Sequence, residues 1–92
     1  MKTIHITVTG RVQGVGFRYF TVGCANDLGI MGWVRNLPDG KVEAVIRGQD
    51  AEVKEMTRLI GRGPRAADVT DIRIEAVDAV DAEEFAGFVM RF

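Results

Sequence analysis

One position in this chain carries a residue type and surroundings suited to chemistry on an anion: Arg18. Arg18 closes the run GRVQGVGFR, Gly10 to Arg18. Gly14 and Gly16 permit backbone angles that strain other residues, so consecutive amides can converge on one point. A concavity of that kind, opening onto a helix N-terminus with its partial positive charge, suits a phosphate group. A cation in the first helical turn opposes the helix dipole at a cost of roughly 0.3–1 kcal/mol. An anion held between Arg18 and the loop amides would offset that cost. The planar guanidinium can meet two phosphate oxygens at once. The plainer alternatives are a glycine-rich connector and a surface arginine.

Two other phosphate loops do not fit. A nucleotide-hydrolase P-loop needs Lys and then Ser or Thr after its last glycine, whereas Phe17 and Arg18 follow Gly16. A dinucleotide fingerprint needs a third glycine where Tyr19 stands. Asn36 precedes a turn, and on residue type alone it reads as a turn-starting polar residue. Trp33 reads as packing, and Arg35, Lys41 and Arg47 as exposed strand charges.

No general base is evident. The one histidine, His5, falls mid-strand opposite the apolar face and reads as structural or solvent-facing. No Cys/His cluster has zinc spacing. Asp78, Asp81, Glu83 and Glu84 lack the glycine-turn pattern of a calcium loop. Cys24 reads as a small core residue.

These groups need a scaffold, and the periodicities supply one. Ile4, Ile6 and Val8 alternate with Thr3, His5, Thr7 and Thr9, as in a strand with one buried face. From Phe17 the pattern turns helical, with Phe17, Phe20, Cys24, Ala25 and Leu28 on one face and Gly29 as the stop. Met31 to Asn36 and Lys41 to Arg47 read as strands joined by the turn Leu37-Pro38-Asp39-Gly40. Asp50 is the expected N-cap of a second helix with Val53, Met56, Thr57 and Ile60 inward. Val69 to Val77 and Phe85 to Phe92 read as closing strands, and the acidic run from Asp78 to Glu84 as a solvated loop. The order predicts a ferredoxin-like α+β fold: a split βαβ sandwich with an antiparallel sheet of four to five strands and two helices on one face.

Size and charge bound the rest. The 92 residues suit a single domain spanning 1–92. The chain is 47% hydrophobic and 27% charged, ordinary for a globular protein. Twelve basic residues against thirteen acidic ones leave a net charge of −1, unlike a protein that grips many nucleic-acid phosphates. The strand segments 4–8 and 41–47 also lack the aromatics of an RNA-recognition sheet. A lone cysteine, no signal-like leader and no apolar run near ~18–20 residues make the cytoplasm the expected location.

The motifs together carry a resemblance. GRVQGVGFR, LGIMGWVRN (Leu28 to Asn36), DGKVEA (Asp39 to Ala44), Gly48, GPRAADV (Gly63 to Val69) and FAGF (Phe85 to Phe88) resemble the acylphosphatase family over nearly the whole length. The resemblance implies hydrolysis of carboxyl-phosphate anhydrides to a carboxylate and inorganic phosphate. On matching positions the phosphate-binding arginine would be Arg18 and the water-orienting asparagine Asn36. The amides of Gln13, Gly14, Val15, Gly16, Phe17 and Arg18 would complete the phosphate-binding loop.

So few groups suffice for this reaction, because a carboxylate with a pKa of about 4.3 departs without a general acid. Positioning and electrostatics remain to be supplied. No metal and no cofactor is expected. The expected partners are a small-molecule acyl phosphate and inorganic phosphate, as product and inhibitor, with no nucleic acid, no membrane and a monomeric chain. The alternative is a non-catalytic phosphate- or metabolite-binding module of the same fold. Carbamoyl phosphate hydrolysis, as in acylphosphatase-like domains of larger maturation proteins, would call for further domains.

Overall fold

The computed structural model describes residues 1–78 and 85–92. The acidic run beyond Asp78, with Asp81, Glu83 and Glu84, lies outside the described residues. The elements are β1 (Lys2–Arg11), α1 (Phe17–Leu28), β2 (Met31–Asn36), β3 (Val42–Gly48), α2 (Asp50–Arg62), β4 (Asp68–Ala76) and β5 (Phe88–Arg91). They form a five-stranded sheet of order β4-β1-β3-β2-β5, with both helices packed on one face. This is the expected ferredoxin-like α+β arrangement.

The alternation in β1 does what its period of two requires. Ile4, Ile6 and Val8 are buried and stand opposite Ile46, Ala44 and Val42 of β3. Val34 of β2 continues the same row, and Phe17, Ala25, Val53, Met56 and Ile60 close over it from the helices. Burying a side chain of this size contributes roughly 1.5–3 kcal/mol. This one-sided core sets the register, because a slip of one residue would turn Ile6 and Ile46 outward.

The last strand departs from a purely antiparallel sheet. The pairs β1–β3, β1–β4 and β2–β3 are antiparallel, but β5 lies parallel to β2. The cause is topological. β4 runs opposite to β1 and hence opposite to β2. A chain that reverses after β4 and crosses to the far edge must therefore run along β2.

Other differences are local. The N-cap of α2 is Gln49 and not Asp50, which is the first helical residue; Asp50 and Glu52 still place carboxylates at the positive helix end. On α1 the buried residues are Phe17, Thr21 and Ala25, while Phe20, Cys24 and Leu28 are half-buried. Thr21 is tolerated inside because its hydroxyl donates to the Phe17 carbonyl at 2.8 Å. At the sheet edge Ile74 stays 48% exposed, so the apolar alternation in β4 is only partly used.

One consequence of this order positions the site. β1 and β2 flank β3 and run in the same direction, so their C-terminal ends share one edge of the sheet. The β1 end leads into the glycine loop, and the β2 end carries Asn36. Adjacent strands lie about 4.8 Å apart, which puts these two ends about 10 Å from each other.

Candidate active site

The loop between β1 and α1 is pinned at both ends. Val12 and Phe17 are almost wholly buried, at 1% and 2% exposure. Gly14 and Gly16 between them adopt φ of 72° and 77°, left-handed conformations that would strain a residue with a Cβ by roughly 1–2 kcal/mol. Gly16 is also the N-cap of α1 and has no side chain to cap it. The first intrahelical bond runs from the Phe20 amide to the Gly16 carbonyl at 3.0 Å. The amides of Phe17, Arg18 and Tyr19 therefore lack intrahelical acceptors. Among the described residues, none of the amides from Gln13 to Tyr19 donates to a backbone carbonyl.

Arg18 sits over this end of the helix. Its Nη1 donates to the Arg91 carbonyl of β5 at 3.2 Å, and the Phe92 ring centroid lies 4.9 Å from its Cζ. Among the described residues no carboxylate lies within ion-pair distance of it. The first turn of α1 holds no acidic residue either. A cation at the positive end of a helix with no carboxylate beside it is a site of uncompensated charge, where an anion is stabilised.

Asn36 completes the group. Its Oδ1 is buried without a hydrogen-bond partner among the described residues. A buried acceptor left so costs about 1–3 kcal/mol, a penalty that a bound water removes. One cleft of about 180 Å³ is lined by Val12, Gln13, Gly14, Gly16, Phe17, Arg18, Tyr19 and Asn36. Every residue expected at the site reaches this cleft except Val15, which packs partly against the core instead. Its amide remains in the loop.

The side chain of Gln13 was not legible as a functional group. Its Nε2 donates to both the Leu37 and the Lys41 carbonyls, each at 2.8 Å. Those carbonyls belong to the β2–β3 turn, closed by Leu37 N to Lys41 O at 2.8 Å and by the Lys41 amide on Asp39 Oδ1 at 3.1 Å. Gln13 thus bridges the gap of about 10 Å between the glycine loop and the strand end that carries Asn36. A leucine at 13 would keep the bulk and remove both donors. Gln13→Leu is expected to lower kcat by roughly 10- to 100-fold, the scale of a misplacement near 1 Å. Inhibition by inorganic phosphate should change far less, and an unaltered kcat would show the bridge to be dispensable.

The other reactive side chains lie elsewhere. His5 is on the sheet face away from the helices, with Nε2 2.7 Å from Glu43 Oε2, and it does not line the cleft. Burial pushes the Glu43 carboxyl up, but hydrogen bonds from His5 and Arg35 outweigh this and hold it below its usual range. Burial, and then Asp27, raise the Cys24 thiol, so it stays protonated and unreactive at neutral pH. Trp33 is packed at 7% exposure, with the guanidinium carbons of Arg91 and Arg35 4.5 and 5.3 Å from its rings. Among the described residues no group of three or more His, Cys, Asp or Glu side chains is placed to hold a metal ion.

Residues 4–90, which include every side chain of the cleft, match the acylphosphatase family model. The chain belongs to the acylphosphatase family. It is 53% identical over 88 residues to the acylphosphatase of Trichormus variabilis, covering 96% of this chain and 84% of that one. The crystal structure of acylphosphatase from Bacillus subtilis superposes with a TM-score of 0.94 at 34% identity, over 100% of both chains. An acylphosphatase from Coxiella burnetii gives a TM-score of 0.90 at 36% identity, over 98% of this chain and 92% of that one. The acylphosphatase match covers both helices and reaches into all five strands. Among the described residues, no helix of this acylphosphatase-family chain is long and apolar enough to cross a membrane.

Proposed function

We propose that the chain hydrolyses acyl phosphates in the cleft between the glycine loop and Asn36. The observation that carries the proposal is the convergence in that cleft of amides without intrahelical acceptors, the guanidinium of Arg18 and the buried Oδ1 of Asn36. The amides from Gln13 to Arg18 and the arginine take the non-bridging oxygens of the phosphoryl group. Asn36 Oδ1 accepts a hydrogen bond from a water and turns its lone pair toward phosphorus. The water oxygen bonds to phosphorus as the bond from phosphorus to the acyl oxygen breaks. The bonding pair leaves with the carboxylate, and the water's proton passes to a phosphate oxygen.

Nothing in this sequence of events protonates the leaving group. A carboxylate of pKa about 4.3 does not need it. An alkoxide does, and uncatalysed hydrolysis of phosphate monoesters is so slow that enzymes accelerate it by up to ~10²¹-fold. The cleft is therefore expected to discriminate by leaving group and not by affinity for phosphate.

The test is kcat/KM for benzoyl phosphate against glycerol phosphate at matched pH, with and without a chelator. Efficient turnover of the first and negligible turnover of the second is the expected result, unaffected by the chelator. Comparable values would point to an acid that the scheme does not contain. Activity lost to the chelator and restored by one metal would overturn the metal-free scheme. The chain is proposed to act alone on its small-molecule substrate, since each group in the scheme comes from one copy. A net charge of −1 supports a role without nucleic acid, and the cytoplasm is its proposed location.

A further inference from the structure

We propose that the groove between α2 and the β4 edge of the sheet binds a small amphipathic carboxylate, one anionic head on a short unbranched apolar tail. The groove lies where β1 begins, whereas the glycine loop follows the other end of that strand. It shares no residue with the cleft.

The floor follows from the register. Ile6 stands opposite Ile74, and directly opposed residues of a strand pair share one face. Ile74 is therefore on the face that the helices cover, where Ile6 is wholly buried. Yet Ile74 is left half in water, and it lines the groove beside Ile4. The facing wall is α2. Asp50, Val53, Lys54 and Thr57 fall at i, i+3, i+4 and i+7, one stripe along the helix. Val53 is 2% exposed and Ile4 3%, so the bottom is apolar. The Thr57 hydroxyl is already satisfied, donating to the Val53 carbonyl at 2.8 Å.

Charge supplies the head group. Lys2 and Lys54 both line the groove, and among the described residues neither is held in an ion pair. Asp50 is the opposing charge in the lining, and it sits in the first turn of α2, where the positive helix end offsets it. A neutral ligand would use the apolar floor alone, and a cation would meet both lysines. An anion with an apolar body uses the whole surface.

Size sets the tail. The groove holds about 350 Å³, inside the roughly 300–1,000 Å³ of small-ligand pockets. At a share of about 30 Å³ for each water, such a space takes on the order of ten heavy atoms, as in octanoate. A second chain fits less well. Asp71, Arg73 and Glu75 alternate along β4 with its apolar positions, and charges on an edge strand discourage pairing with another strand.

The experiment titrates octanoate into the isotopically labelled protein and follows methyl and amide resonances. Ile4, Val53 and Ile74 are expected to shift together along one saturable curve, with Gly14, Gly16 and Arg18 unmoved. Lys2→Ala or Lys54→Ala should each weaken binding about 2- to 5-fold, the scale of an exposed ion pair. Ile74→Ser, at a half-exposed edge position, should weaken it about 5- to 10-fold through lost apolar contact. 1-Octanol should bind more weakly than octanoate and be indifferent to both lysine substitutions. The wild-type titration decides the matter without any variant: shifts that never saturate, or that scatter over the surface, overturn the site. So does an octanoate affinity unchanged in all three variants. Shifts at these residues that follow protein concentration and not octanoate would also overturn it, because a second copy would then cover the groove.

Discussion

Replacing Arg18 with Ala is expected to lower turnover of an acyl phosphate by at least about 10³-fold, the lower end of what an arginine contributes to phosphoryl transfer. Inhibition by inorganic phosphate should weaken in the same variant. Both losses follow from one fact: among the described residues that line the cleft, this guanidinium is the only charged group. The backbone amides that remain are partial charges, and they were placed to share the load with a full one. Lysine should rescue poorly, because a point charge cannot reach two oxygens in one plane or stack on the Phe92 ring as the guanidinium does. Stability should hardly change, since the single hydrogen bond lost, to the Arg91 carbonyl, is exposed. Steady-state kinetics with phosphate as inhibitor, alongside a denaturation curve, checks all three statements. Near-normal turnover in Arg18→Ala would remove the centre of the mechanism.

Asn36→Ala should behave differently, and the contrast is the informative part. Its expected loss is roughly 10²–10³-fold in kcat, the scale of removing one well-placed polar group at a reacting centre. Phosphate inhibition should stay near wild type, because in the proposed scheme the Asn36 amide holds the water and not the anion. The fold should not suffer. The substitution removes a buried acceptor that has no protein partner, so the free protein loses a liability with the side chain. Asn36→Asp should be as slow or slower, since a carboxylate there faces the phosphoryl charge. If phosphate affinity in Asn36→Ala fell as steeply as kcat, the residue would belong to the anion site instead.

The parts of this architecture that could be read from the chain are those governed by local rules. The alternation of Ile4, Ile6 and Val8 gave a one-faced strand, and Asp39-Gly40 a turn. Gly14 and Gly16 marked a loop whose amides could converge. Each of these depends on residues within a few positions of one another. What escaped was set by contacts across the fold. Thr21 faces the core because its hydroxyl satisfies itself on the preceding turn, which leaves no apolar signal to read. The parallel placement of β5 follows from where β4 ends up, and not from anything in residues 88–91. The Gln13 side chain looked like one more loop residue, since its acceptors lie 24 and 28 positions away. The stacking of Arg18 on Phe92 spans still more of the chain. Sequence reasoning singled out residues that the fold brings to one cleft and missed the side chains that hold them in register.

The anchorage of Arg18 has a further effect. β5 is the shortest strand, four residues long, and it is bonded to the sheet along one side only, through β2. Edge segments with few partners open at far lower free energy than the centre of a sheet. When β5 frays, the Arg91 carbonyl and the Phe92 ring leave Arg18 together, while β1, β3 and the helices remain assembled. Enzymatic competence and global foldedness should then be separable. Under rising denaturant, activity is expected to decline at concentrations where far-ultraviolet circular dichroism still reports an intact molecule. Amide hydrogen exchange in β5 should be the first to lose protection. The working site would thus belong to the least cooperative part of an otherwise tightly coupled sheet, and its melting would precede that of the scaffold.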